Sequence, residues 1–175
     1  MPFPIDHAHV ITGITDAPPT GGVGPTRWND PHSGLEILRT TTDRSNATTS
    51  FADVADLTFS IAANEVVSFS FHLMILSSAS TVGVQLAVNG PASPTAVNVM
   101  AEIYTTATGT VVVPQTAYDT TTGQPTAGVA TRVPAYVYGT IENGATAGTV
   151  ALRLRAEVSG TVTVVRGSWG EVWHL

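Results

Sequence analysis

Between Asn46 and Trp173 one pattern recurs: short runs in which apolar and polar residues alternate, closed by Gly, Pro, Asn or Ser. Successive side chains of a strand point to opposite faces, so this period of two gives each run one buried face. Phe51 to Ile61 alternates loosely through Val54, Leu57, Phe59 and Ile61. From Glu65 to Leu76, Val67, Phe69, Phe71, Leu73 and Ile75 share one face, and Ser68, Ser70 and His72 the other. Val82, Val84, Leu86 and Val88 follow, ended by the turn residues Asn89-Gly90-Pro91. Val97, Val99, Ala101 and Ile103 make the next run, and Thr110 to Tyr118 a weaker one interrupted by Pro114. Arg132 to Ile141 sets Val133, Ala135, Val137 and Gly139 against Tyr136 and Tyr138. The clearest run is Thr149 to Val158, where Val150, Leu152, Leu154, Ala156 and Val158 oppose Arg153, Arg155 and Glu157. Ser159-Gly160 turns the chain, and Thr161 to Trp173 closes the domain through Val162, Val164, Trp169 and Trp173. About eight strands with no helical period predict an all-β fold, an antiparallel β-sandwich or jelly-roll-like domain over residues 46–175.

Residues 1–45 read differently. Six prolines (Pro2, Pro4, Pro18, Pro19, Pro25 and Pro31) and the glycines of Gly21-Gly22-Val23-Gly24 punctuate them, and no hydrophobic period is sustained. So long a stretch without secondary structure is uncommon inside a compact domain. An extended N-terminal arm over 1–45, ordered by what it touches, is the expectation. Gly34 to Arg39 has the character of a short strand or a turn of helix.

Composition narrows the function classes. Charged residues are 11% of the chain, against roughly 25% in ordinary soluble domains. All seven basic residues are Arg, with no Lys. A surface so poor in charge suits a protein that buries its outside against neighbours, and codon bias in a high-GC genome gives the same composition. The net charge of −6 and the absence of an Arg stripe argue against nucleic acid as a partner. Cysteine is absent, so neither a disulfide framework nor a thiolate metal site is expected. No apolar run approaches a membrane span. Met1-Pro2-Phe3-Pro4 lacks the basic and apolar regions of a signal peptide, which predicts synthesis in a cytosol without cleaved-signal export.

No catalytic residue is expected. None of the five histidines accompanies a G-x-S-x-G nucleophile elbow. Glu65, Glu102, Glu142, Glu157 and Glu171 are scattered singly rather than paired for glycoside hydrolysis. Thr20 to Pro25 is glycine-rich but lacks the Gly-Lys-Thr ending of a phosphate loop. His72 reads as a structural histidine of a strand's polar face. His7-Ala8-His9 alone has metal-ligand character: in extended chain both imidazoles point the same way, and three chains around an axis would supply six nitrogens. A plain polar pair in an arm explains the same residues, and no cofactor is expected. Tyr104, Tyr118, Tyr136, Tyr138 and Trp169 have rings that stack on sugars, and equally serve core or interface.

Two stretches of the arm resemble proteins of tailed bacteriophages. Thr26-Arg27-Trp28-Asn29-Asp30-Pro31-His32 resembles the Asp-Trp-Asn-x-x-His type of linker of phage fibres and appendages. His7-Ala8-His9-Val10-Ile11-Thr12-Gly13-Ile14-Thr15-Asp16 resembles openings common in such proteins. From Asn46 onward the chain is similar to a Thr/Ala-rich β-module of virion proteins, through Leu57–Ile61, Gly83–Pro91, Gly139–Ile141 and Leu152–Val158. The resemblance covers most of the chain with loose motifs. It implies a virion surface protein made in the host cytoplasm: a capsid decoration protein, head fibre or short tail fibre. It further implies a homotrimer that contacts other virion proteins. The long shaft or chaperone domain that usually follows such openings does not fit in 175 residues, which favours a decoration or head-fibre subunit over a tail fibre. On this reading the arm attaches the protein to the particle through Phe3, Arg27, Trp28 and His32. A trimer tip that recognises a host surface glycan is the alternative.

Overall fold

The structure, a computed structural model, describes residues 34–104, 109–120 and 131–175. Among these residues it contains eleven strands: β1 (Leu35–Arg39), β2 (Arg44–Asn46), β3 (Ala52–Ile61), β4 (Val66–Ser77), β5 (Val84–Asn89), β6 (Ala96–Tyr104), β7 (Thr110–Gln115), β8 (Val133–Glu142), β9 (Gly148–Ala156), β10 (Val162–Val164) and β11 (Trp169–His174). Every pairing is antiparallel. The expected all-β, antiparallel architecture is the one observed. Each predicted run forms a strand, and Thr161 to Trp173 forms two.

The strands make two sheets. The larger has the order β1-β11-β4-β8-β6-β7, with β10 also pairing β4 and β2 pairing β10; the smaller is β3-β9-β5. Their inner faces meet in one apolar core. Phe59 of the small sheet lies 5.6 Å and 6.4 Å, ring to ring, from Phe69 and Phe71 of the large one, which closes the sandwich at its aromatic centre. Phe71, Leu152, Leu57 and Val137 are fully buried, each contributing about 1.5–3 kcal/mol by leaving water. Val54 and Leu57 are both buried although three residues apart, which a regular strand would forbid. A register shift between Asp53 and Thr58 turns both inward and explains the loose alternation of this run.

Two features depart from expectation. Residues 34–45 were placed in the arm, yet β1 and β2 complete one edge of the large sheet by pairing with β11 and β10. Leu38 packs against the core. Thr40 pins the chain between these strands: its hydroxyl reaches the Ser168 carbonyl at 3.1 Å, and its carbonyl accepts from Gly167 N–H at 2.9 Å. Second, Trp169 and Trp173 lie in the run expected to close the domain, and both face outward. The chain between β10 and β11 leaves the strand path over residues 165–168, held by Ser168, whose Oγ accepts from the Met74 N–H at 3.0 Å. Beyond it the inward positions are Gly170 and Val172. A Cβ at Gly170 would overlap the Phe71 ring, so a large residue has no room on that side. At the sheet centre Gly139 has φ +157° and lies against the β6 backbone, where any side chain would strike the Asn98 carbonyl.

Candidate functional site

Register places six strands of the large sheet side by side, so their outward residues form rows. One row runs Arg39, Trp169, His72, Tyr136, Glu102, Val112 across β1, β11, β4, β8, β6 and β7. The adjacent row is Ile37, Glu171, Ser70, Tyr138, Met100, Pro114. Pro114 sits on the edge strand β7, where its missing N–H weakens pairing with a further strand. Among the described residues, every strongly exposed large apolar side chain except Val158 and Leu175 lies on this face. Ile37 is 60% exposed and Trp173 46%. These apolar residues are interspersed with Arg39, Glu171, Ser70 and Glu102 on the same face.

The rings on this face are ordered against one another. The His72 imidazole is parallel to the Trp169 indole at 4.2 Å, and Tyr136 meets His72 edge-on at 5.3 Å. Tyr104 meets Tyr136 edge-on at 6.1 Å. Ser70 Oγ lies 3.1 Å from His72 Nε2. The negative charge of Glu102, and then its hydrogen bond, raise the Tyr104 phenol above its ordinary range. Beside the rings, a groove of about 470 Å³ is lined by His72, Met74, Tyr136, Arg166, Ser168 and Trp169, among others.

The opposite face of the sandwich is polar and, among the described residues, carries its own ion pairs. Arg153 pairs with Asp53 at 2.8 Å and with Asp119 at 2.5 Å, and donates to the Phe51 carbonyl at 3.0 Å. Arg155 bonds Gln85, and its guanidinium lies over the Phe51 ring at 4.5 Å. Nearby, Arg44 holds Asp56 at 2.5 Å, and that hydrogen bond, more than anything else, keeps the Asp56 carboxyl below its ordinary range. At one end of the large sheet, His174 Nδ1 meets Glu65 at 2.7 Å. Burial pushes the Glu65 carboxyl up, but a 2.5 Å hydrogen bond from the Ala62 N–H and the His174 contact outweigh it, and the net shift is downward.

Of the five rings considered for sugar stacking, Tyr104, Tyr136, Tyr138 and Trp169 come together on the outer face. Tyr118 does not. It follows β7 in a turn that returns to β5, where Asp119 N–H bonds the Val88 carbonyl at 2.9 Å, and its ring packs against the core. Burial raises its phenol. His72 lies on the polar face as expected, but there it stacks on Trp169. Met74, Arg39 and Arg166 were not singled out by sequence, since a lone Met or Arg in a strand or turn carries no signal until register gives it neighbours. Phe3, Arg27, Trp28 and His32, read as the attachment residues, lie outside the described residues, as do His7 and His9. Among the described residues no three His, Asp or Glu side chains are grouped to hold a metal ion.

No family model matches this chain, and no curated protein does. Among solved structures, the chain is similar to one in the crystal structure of the infectious bursal disease virus VP2 subviral particle, at 11% identity and a TM-score of 0.23, over 81% of this chain and 41% of that one. A structure of the Gt strain of the same virus aligns at 11% identity and a TM-score of 0.23, over 80% of this chain and 37% of that one. The chain thus spans about two fifths of the length of those proteins. At such scores the superposition carries no assignment, and the fold stands on its own strands and register.

Proposed function

We propose that this protein is a non-enzymatic structural component of a virion surface, a capsid decoration or head-fibre protein. Its arm attaches it to other virion proteins, and its β-domain is displayed as a homotrimer. The observation that carries this reading is the outer face of the large sheet. Exposed Leu35, Ile37 and Trp173 lie together on β1 and β11 at one side of that face, within two residue rows of the Trp169 ring cluster. Surfaces with apolar, aromatic centres and sparse charge are those that proteins cover with other proteins. The resemblance of the arm and the β-module to phage virion proteins supplies the setting.

Immunogold labelling of intact particles tests the location. Label on capsids supports a decoration or head-fibre role, label at tail tips a fibre, and unlabelled particles contradict the reading. The arm has its own test. Trp28 is a large aromatic flanked by Arg27, Asn29 and His32, and truncating such an anchor costs about 2 kcal/mol or more. Trp28→Ala is expected to lose co-sedimentation with particles while the free protein melts unchanged. A lowered melting temperature would instead mean that Trp28 packs on its own domain.

A second reading, a receptor-binding tip for host glycan, is favoured by one observation: the ordered rings beside the groove.

A further inference from the structure

We infer that the groove beside Trp169 and His72 is a binding site for an acidic saccharide, a pyranose ring carrying a carboxylate, as in a uronic-acid polysaccharide. The site stands apart from the question of where the protein sits on a particle, and deepens the glycan-binding reading.

The first observation is the rings. Sugar rings have an apolar C–H face and a hydroxyl rim, and aromatic side chains complement the face. Here Trp169 is held upright by the parallel His72 ring, and Tyr136 braces His72 edge-on. Rings already fixed by their neighbours lose little freedom when a ligand arrives. Met74 extends the apolar lining. Ser70 Oγ and His72 Nε2 are hydrogen-bonded to each other at 3.1 Å, which fixes the imidazole, and the Ser70 hydroxyl keeps capacity for a further hydrogen bond.

The second observation is charge. In a chain of net charge −6, arginines Arg44, Arg153 and Arg155 are engaged with Asp56, with Asp53 and Asp119, and with Gln85. Arg39 and Arg166 behave otherwise. Arg39 is the strand neighbour of Trp169, Arg166 lines the groove, and among the described residues neither forms an ion pair with a carboxylate, nor does Arg132. Asp43 is close, but its Oδ1 accepts from the Arg166 backbone N–H at 2.8 Å. Glu102 lies at the far side of the ring row, beyond Tyr136, and Glu171 faces the same surface in the next row, between Ile37 and Ser70. A guanidinium left open beside stacked rings fits a carboxylate with forked hydrogen bonds. A uronic acid holds its carboxylate near the plane of the pyranose ring, so the ring face can lie on the aromatics while the carboxylate reaches the groove rim. A carboxylate standing out of the ring plane would not allow both.

The test is titration of the full-length protein, followed by NMR, with a galacturonic acid hexamer and with its methyl ester, which keeps the ring and removes the charge. Saturable shifts centred on the Trp169 indole N–H are expected at ligand concentrations near 1 mM, as an order of magnitude for a shallow site. The methyl ester and Arg166→Gln should each weaken binding by about tenfold, and Trp169→Ala by at least as much. Because both residues are exposed, the variants should keep the wild-type spectrum elsewhere, and Arg39→Gln provides a further charge variant should either fail to fold. No saturable shift, equal affinity for the methyl ester, or binding indifferent to Arg166 and Arg39 would overturn the inference. Loss of the particle label with binding intact would remove the virion reading alone.

Discussion

The two outer faces of this sandwich solve opposite problems. On the small sheet, Arg153 and Arg155 stand over the strands, and their charges are met by Asp53, Asp119, Gln85 and the Phe51 ring. Among the described residues, the charges of that face are met within one chain. On the large sheet, Trp169, Trp173, Ile37, Leu35 and Tyr138 leave substantial apolar area in water. Polar groups closed on one another offer a partner little, because displacing them costs the hydrogen bonds already made. Exposed rings and aliphatic groups gain by being covered. Where a chain places its ion pairs therefore marks where it is finished, and where it leaves apolar groups marks where it expects company.

The largest expected effect falls on the core that both faces share. Leu152 and Phe71 are fully buried, one from each sheet. Leu152→Asp or Phe71→Asp would bury an unpaired carboxylate, a penalty of several kcal/mol that approaches the whole stability of a domain. Neither variant should yield soluble folded protein by circular dichroism, and recovery of either in folded form would mean that the strand facing is misassigned.

The next effect separates the faces. Arg153→Ala removes the partner of exposed Asp53 and one of two partners of Asp119, which keeps Asn89, and should lower stability by about 1 kcal/mol in a denaturant titration, without changing the mass in solution. Ile37→Ser on the other face should leave the melting temperature of the unassembled chain, measured at dilution, within a degree or two, since the side chain is 60% exposed in the single chain. If Ile37→Ser destabilises the free chain as much as Arg153→Ala does, the contrast between the faces fails.

The smallest effect is a pH dependence at the sheet end. The Glu65 carboxyl is depressed in the fold by Ala62 N–H and His174, against an ordinary value of 4.5. A depressed carboxylate stabilises the fold above its unfolded value, and the contribution disappears as pH falls through the lower folded value. Melting temperature should therefore drop for the wild type below about pH 4.5 more steeply than for Glu65→Gln. Parallel curves would show that the contact contributes nothing.

Much of the fold was legible because burial enforces alternation. Val67, Phe69, Phe71, Leu73 and Ile75 could be assigned to one face from spacing alone, and they are buried. β2 was not legible, since Arg44-Ser45-Asn46 is too short to show a period and exists only as a partner for β10. The outward turn of Trp169 and Trp173 was hidden for a related reason. Residues 165–168 break the period, and a large aromatic by itself suggests a core, so only Gly170 hinted that the inward position was occupied by Phe71. The candidate site was half visible. Its rings could be named, but the row Arg39, Trp169, His72, Tyr136 joins residues up to 130 positions apart, and only register brings them together.

The central claim is that the side of the large sheet carrying Leu35, Ile37 and Trp173 is covered by further copies of this chain. Light scattering on the full-length protein at micromolar concentration measures that most directly. The account predicts about three times the 18.1 kDa chain mass, falling to a single chain mass in the double variant Ile37→Ser, Trp173→Ser with its fold intact. A wild-type monomer, or a trimer that survives both substitutions, would contradict it.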